Sequence, residues 1–199
     1  MTRQAVLIFT KNAEAGKVKT RLAATIGNEA AFAVFHQLQA YTVSITASLP
    51  MDKFVFYADY IGSSDIWDNN VYHKAVQQGE DLGERMINAF DLLFEKGFEE
   101  VVIIGTDCPG IQTSIIEDAF AHLQACDVVV GPAEDGGYYL LGMKQLHAAL
   151  FSDIHWSTAT VLKSTLNGII ASGLRYHLLP MLKDVDEEKD LIALETWKK

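Results

Sequence analysis

A three-layer α/β/α sandwich on a mainly parallel sheet is the fold this sequence predicts, and three observations predict it. Short apolar runs without polar interruption recur along the chain, amphipathic stretches with a period near that of a helix alternate with them, and no Pro/Gly/Ser-rich linker or composition break divides residues 1–199. An uninterrupted apolar run reads as a strand buried on both faces, as in a parallel sheet covered by helices. Regular alternation of such strands with helices then reads as one layered domain with a mixed sheet.

The elements follow in order. AVLIF at 5–9 is the first strand, and Gly27-Asn28 signals the start of a helix whose apolar positions Ala31, Val34, Phe35, Leu38, Tyr41, Ile45 and Leu49 recur at threes and fours. FVFY at 54–57 is the second strand, and residues 71–77 are a weaker strand. Asp81 with Glu84 has the spacing of a capping box, followed by the face Leu82, Met86, Phe90, Leu93 and Phe94 and a stop at Gly97. VVII at 101–104 precedes a helix for which Ser114 and Glu117 repeat the capping spacing before Ile116, Ala119, Phe120 and Leu123. DVVV at 127–130 and YYLL at 138–141 are strands. Ser157 reads as the cap of a helix carrying Val161, Leu162, Leu166, Ile169 and Ile170 that Gly173 ends. A strand at 174–179 and a last helix with Leu191, Leu194 and Trp197 complete the chain.

Composition removes several classes of function. Hydrophobic residues make up 49% and charged residues 21%, with only 4 prolines, which excludes a disordered chain, collagen and a coiled coil. Sixteen Lys+Arg against 26 Asp+Glu leave a net charge of -10, which argues against nucleic acid or anionic lipid as a partner. An anionic ligand must therefore meet a local basic site. Cys108 and Cys126 lack CxxC or Cys/His ligand spacing, so both read as reduced thiols. The first apolar run stops before Lys11, far short of the ~20 residues of a membrane span, so a soluble cytoplasmic chain is expected.

In an open α/β sheet the ligand lies beyond the carboxyl ends of the strands, which directs attention to four loops. The first, TKNAEAGKVKTRL at 10–22, gathers Lys11, Lys17, Lys19 and Arg21 around Gly16. A glycine-containing loop with several cations suits a di- or triphosphate, though it also reads as a solvated basic loop; it is not a Walker A motif, and no GxGxxG occurs. The second, GTDCPG at 105–110, sets Asp107 at a strand tip, where a carboxylate can carry Mg²⁺ to phosphate oxygens or simply close an Asx turn. In the third, Glu134 and Asp135 precede Gly136 and Gly137, as an acid beside a substrate or as a plain hairpin turn. The fourth, Asp184-Val-Asp186, is a literal DxD in which Asp186 also reads as a helix cap.

These loops, taken with further strings, carry a resemblance. FTK at 9–11, GKVKTRL at 16–22, Gln78-Gly79 with DLGERM at 81–86, TDCP at 106–109, Gly131-Pro132 with DGGYY at 135–139, WST at 156–158 and DVD at 184–186 occur in order. Together they resemble the glycosyltransferase-like family of radical-SAM/selenodomain-associated transferases within the nucleotide-diphospho-sugar transferase superfamily. The KVKTRL string is also similar to the 2-phospholactate guanylyltransferases. The resemblance implies a GT-A-like sandwich of about seven strands, one of them antiparallel. It implies donor phosphates on Lys11, Gly16, Lys17, Lys19 and Arg21, with Lys19 and Arg21 also catalytic, and a nucleoside pocket formed by Gln78, Gly79, Asp81 and Arg85. It further implies Mg²⁺ or Mn²⁺ on Asp107, with Asp186 as second ligand. The chain departs from the family pattern in having Ala15 before Gly16, and Glu187-Glu188 after Asp186.

The expected activity is a metal-dependent transferase acting on a nucleotide sugar or nucleoside triphosphate and a small-molecule acceptor, by glycosyl or nucleotidyl transfer. Three cations near Gly16 favour a triphosphate on charge; the family resemblance favours the sugar. Trp156 offers a flat surface for the acceptor, His155 a proton acceptor, and Ser157 lies beside them. A nucleotide-binding module without turnover is the alternative, against which Asp107, Glu134 and Asp135 count. An NAD(P)-dependent oxidoreductase lacks its glycine signature here.

Overall fold

In the computed structural model, which describes residues 2–62, 64–192 and 194, the first apolar run forms strand β1 (Gln4–Thr10) in the interior of the sheet. Its side chains divide between two cores, Val6 and Ile8 on one face and Ala5 and Leu7 on the other, which is why the run has no polar alternation. The other strands are β2 (Asp52–Tyr57), β3 (Tyr72–Val76), β4 (Glu100–Gly105), β5 (Val128–Pro132), β6 (Tyr138–Met143) and β7 (Tyr176–Leu178). They form a 7-stranded sheet in the order β3-β2-β1-β4-β6-β5-β7. Strand β6 runs antiparallel to both of its neighbours, β4 and β5, and the remaining pairs are parallel.

Among the described residues the α-helices are α1 (Thr20–Ile26), which packs on α2, α2 (Asn28–Thr46), α3 (Leu82–Glu95), α4 (Thr113–Leu123) and α5 (Val161–Ala171). Tyr41 and Ile45 of α2 and Ile116 and Phe120 of α4 pack on one face of the sheet. Met86, Phe90 and Leu93 of α3 and Ile169 of α5 pack on the other. Gly97 (φ 81°) and Gly173 (φ 66°) follow α3 and α5 in the left-handed conformation expected of helix ends.

Several local expectations change. Asp81 caps α3 by accepting from the Glu84 N–H at 2.9 Å, but the Glu84 carboxylate accepts from the Glu80 N–H instead of completing a capping box. Gln112 precedes α4, so Ser114 lies inside the helix and does not cap it. Ser157 does not cap α5 either: it has φ 62° in the connecting loop, and Thr160 occupies the cap position. Asp186 is not a helix cap, because Glu187 and Asp190 close the capping box of the short 3-10 turn Glu188–Asp190. Helix α1 was not expected at all; it is short, and Lys19 before it makes no side-chain cap. Leu191 and Leu194 are helical as predicted, while Trp197 lies outside the described residues.

The chain order matters most for the site. From β1 the chain builds outward through β2 and β3, then crosses back to place β4 on the other side of β1. Loops leaving β1 and β4 therefore diverge from one point, which opens a crevice at the carboxyl ends of these strands.

Candidate active site

A cleft of about 720 Å³ lies in that crevice. Thr10 and Lys11 enter it from the end of β1, Ala58 from β2, Gln77 from β3, and Thr106, Asp107 and Cys108 from β4. The opposite wall comes from the β5–β6 hairpin and the segment before α5, with Asp135, Gly137, Tyr138, Trp156 and Ser157. The volume is within the range of sites for nucleotide-sized ligands.

Lys19, Asp107 and Asp186 meet at its floor. The Lys19 Nζ lies 2.6 Å from Asp107 Oδ1 and 3.4 Å from Asp186 Oδ1, and it donates to the Val185 carbonyl at 2.7 Å. The Lys19 side chain is 4% exposed, whereas Asp107 and Asp186 are 47% and 40% exposed. A buried ammonium is tolerable because carboxylate and carbonyl acceptors surround it. Lys19 has φ 48°, a left-handed backbone unusual for a side chain with a Cβ, and it turns the chain directly into α1. Asp107 thus directs its carboxylate to Lys19, whereas the Asx-turn alternative would have had it satisfy local N–H groups.

Asp184, named in the sequence only as part of the DVD string, lies in the same cleft. Its Oδ1 is buried without a hydrogen-bond partner among the described residues. Burial, then the negative charges of Asp107, Asp135 and Asp186, raise its pKa to about 7; the neighbouring Cys108 thiol, which donates to the Lys183 carbonyl, opposes the rise. Burial in turn pushes the Cys108 thiol well above its ordinary value, so it is no nucleophile.

The basic loop does not act as one unit. Lys11 and Arg21 line the cleft, Arg21 being 69% exposed and 3.8 Å from Asp186. Lys17 turns away to pair with Glu14 at 2.6 Å, 75% exposed, and neither it nor Gly16 is among the lining residues. Of the segment 81–85 expected at the nucleoside, Leu82 and Arg85 line the cleft, together with Gln77, which the sequence offered only as the end of a strand. Gln78, Gly79 and Asp81 support this wall from behind: the carbonyls of Gln78 and Gly79 accept from Asn88 and Arg85, and Asp81 caps α3.

On the far wall the third loop is a hairpin turn that also brings one carboxylate to the cleft. Glu134 to Gly137 turn the β5–β6 hairpin, and Asp135 still reaches the cleft while accepting the Gly137 N–H at 2.8 Å. Glu134 and Gly136 stay outside it, as does the exposed His155, whereas Trp156 and Ser157 line it. The Trp156 indole lies on Gly83 of α3, where an added Cβ would come within 2.7 Å of the ring.

Two carboxylates facing a cleft fit a divalent cation that draws its remaining ligands from phosphate and water, as Mg²⁺ commonly does. The Asp184 oxygen that lacks a partner belongs to the same cleft. Among the described residues no three His, Cys, Asp or Glu side chains form a ready-made metal site, so a ligand would have to complete the coordination. No helix among the described residues is long and apolar enough to cross a membrane.

Known proteins share the sequence pattern and the fold. A structure from Desulfovibrio desulfuricans G20, provisionally named a nucleotide-diphospho-sugar transferase, is 33% identical with TM-score 0.87 and covers 96% of this chain and 87% of its own. Two more distant structures share the fold. The 4-diphosphocytidyl-2C-methyl-D-erythritol synthase of Anaerococcus prevotii DSM 20548 (TM-score 0.62, 8% identity) covers 99% of this chain and 96% of its own. The inositol-1-phosphate CTP transferase of T. maritima (TM-score 0.57, 14% identity) covers 100% and 96%. No curated protein sequence matches the chain. A family model described as uncharacterized protein conserved in bacteria (DUF2064) matches residues 42–158, more than half of the sequence. With the fold, the switch-point cleft and this match in agreement, the chain belongs to the DUF2064 family.

Proposed function

We propose that this protein is a transferase whose donor is a nucleotide-diphospho-sugar and whose acceptor is a small molecule with a hydroxyl group. The observation that carries the reading is the division of the basic loop. Of the three cations that made the charge case for a triphosphate, Lys17 is paired with Glu14 and stands outside the cleft, while Lys19 and Arg21 lie beside Asp107 and Asp186. The positive charge of the loop is thus largely offset before a ligand enters, and the surplus that favoured a triphosphate is gone. The structural likeness to the Desulfovibrio protein supports the same donor class, as does the finer resemblance to the selenodomain-associated transferases.

In this reading the nucleoside lies along Gln77, Leu82 and Arg85, and the diphosphate between Lys11 and Arg21. The acceptor lies against Trp156 and Tyr138. Its hydroxyl oxygen forms a bond to the anomeric carbon as the bond from that carbon to the diphosphate oxygen breaks, and Asp135 receives the hydroxyl proton. Asp107 and Asp186 would hold Mg²⁺ or Mn²⁺, which supplies neutralisation of charge on the departing diphosphate. His155, outside the cleft, has no part in it.

Isothermal titration with nucleotide sugars and the matching triphosphates in Mg²⁺ tests the reading. Nucleotide sugar is expected to bind at least as tightly as triphosphate, and Trp156→Ala is expected to lower turnover with donor affinity unchanged. Binding of triphosphates with no measurable binding of any nucleotide sugar would replace glycosyl by nucleotidyl transfer.

A further inference from the structure

We infer that Lys19 is the resident counter-ion of the Asp107–Asp186 pair in the ligand-free protein, so that these carboxylates become available to a divalent cation only when a phosphate-bearing ligand takes over the ammonium. The inference rests on the metal part of the function proposed above and concerns the order in which that site is filled. Three observations carry it. The Lys19 Nζ stands between the two carboxylates, 2.6 Å from one and 3.4 Å from the other. Its side chain is 4% exposed and anchored by the Val185 carbonyl at 2.7 Å, so it is a built part of the floor and not a surface lysine at rest. Its left-handed backbone, with φ 48° at the start of α1, aims the side chain inward, while Lys17, two residues earlier, points to solvent.

Charge makes the exchange directional. With Lys19 in place, two carboxylates are partly neutralised, and a dication entering beside the ammonium meets repulsion at contact distance. A diphosphate arriving between Lys11 and Arg21 offers Lys19 new oxygen acceptors inside the cleft it already lines. The ammonium then transfers from carboxylate to phosphate, and the carboxylates turn to the incoming cation. The net charge of the floor changes in one step, and neither the lysine nor the carboxylates are left unpaired. A protein built this way holds little metal when empty, although the same residues bind it tightly in the complex.

The test measures Mn²⁺ binding without nucleotide, by paramagnetic resonance, in the wild type and in Lys19→Gln, which keeps a donor for the Val185 carbonyl but removes the charge. Lys19→Gln is expected to bind Mn²⁺ on the order of tenfold or more tightly than the wild type, a conservative reading of the loss of one adjacent unit charge. Metal-dependent thermal stabilisation by UDP, CDP and GDP is measured in both proteins. If at least one of these stabilises both proteins in a metal-dependent way while Lys19→Gln gains no Mn²⁺ affinity, the counter-ion role is overturned and the metal site stands. If neither protein binds metal with or without these nucleotides, the metal reading falls, and this inference with it. A second measurement needs no variant. The slowly exchanging ammonium signal of the buried lysine in proton–nitrogen spectra of the wild type should persist in millimolar Mg²⁺ and shift only when Mg²⁺ and the stabilising nucleotide are present together. A shift with Mg²⁺ alone would overturn the order of filling.

Discussion

Asp184 shows how strongly the cleft acts on a single residue. It shares a narrow floor with Asp107, Asp135 and Asp186, and its Oδ1 has no hydrogen-bond donor among the described residues, so the protonated form is favoured up to about pH 7. A carboxyl whose folded pKa lies above its unfolded value contributes stability that is complete below the unfolded value and is lost as pH rises through the folded one. The window therefore runs from about pH 4 to about pH 7. Asp184→Asn, uncharged at every pH, should be more stable than the wild type at pH 8, by on the order of a few kcal/mol, and should match it at pH 4. Urea unfolding of the metal-free protein at the two pH values checks this, and a difference that does not change with pH would show that Asp184 ionises freely in the fold.

At the scale of elements, the segment between β6 and α5 is held over the cleft from two sides. Its Trp156 rests on Gly83 of α3, and its Ala159 rests on Gly136 of the β5–β6 hairpin. The two glycines serve differently. Gly83 is helical, so alanine there is conformationally welcome, by up to ~1 kcal/mol, and the indole must give way. Gly136 has φ 89° and its added Cβ would meet the Ala159 backbone, which cannot yield as a side chain can. Gly83→Ala should thus keep its stability, shift the Trp156 ring resonance and lower acceptor turnover. Gly136→Ala should lose more than ~1 kcal/mol in urea unfolding. Equal effects of the two on stability would mean that the segment is not pinned as described.

Across the whole molecule, the two large hydrophobic clusters lie on opposite faces of the same sheet, and β1 contributes to both. Neither face can open without exposing the other, so the chain should unfold in a single transition. The cleft is built from loops at both sides of the switch point, so its ligand stabilises that one unit. A nucleotide at 100 times its Kd should add ~2.7 kcal/mol, equivalent to roughly 5–10 °C in a chain of this size. Calorimetry showing two transitions, with only one moved by ligand, would divide the molecule where the sheet appears continuous.

The layered fold and the end of the sheet at which the cleft opens are readable from the order of residues. Burial on both faces demands unbroken apolar runs, and 5–9, 54–57 and 101–104 satisfy that demand with side chains adjacent along the chain, so they are readable without any partner. Asp107 and the basic loop were legible for the same reason, as polar residues set directly after such runs. Helix α1 was hidden by the cations at its start. What each charge does is set by the folded arrangement. Lys17 and Lys19 are two residues apart and chemically alike, yet one pairs with a neighbour in its own loop and the other with a carbonyl 166 residues away. The burial of Asp184, the indole on Gly83 and the pairing of Lys19 depend on segments far apart in the chain. Local spacing cannot encode such partners, because the energy of a charge is set by whatever surrounds it in space.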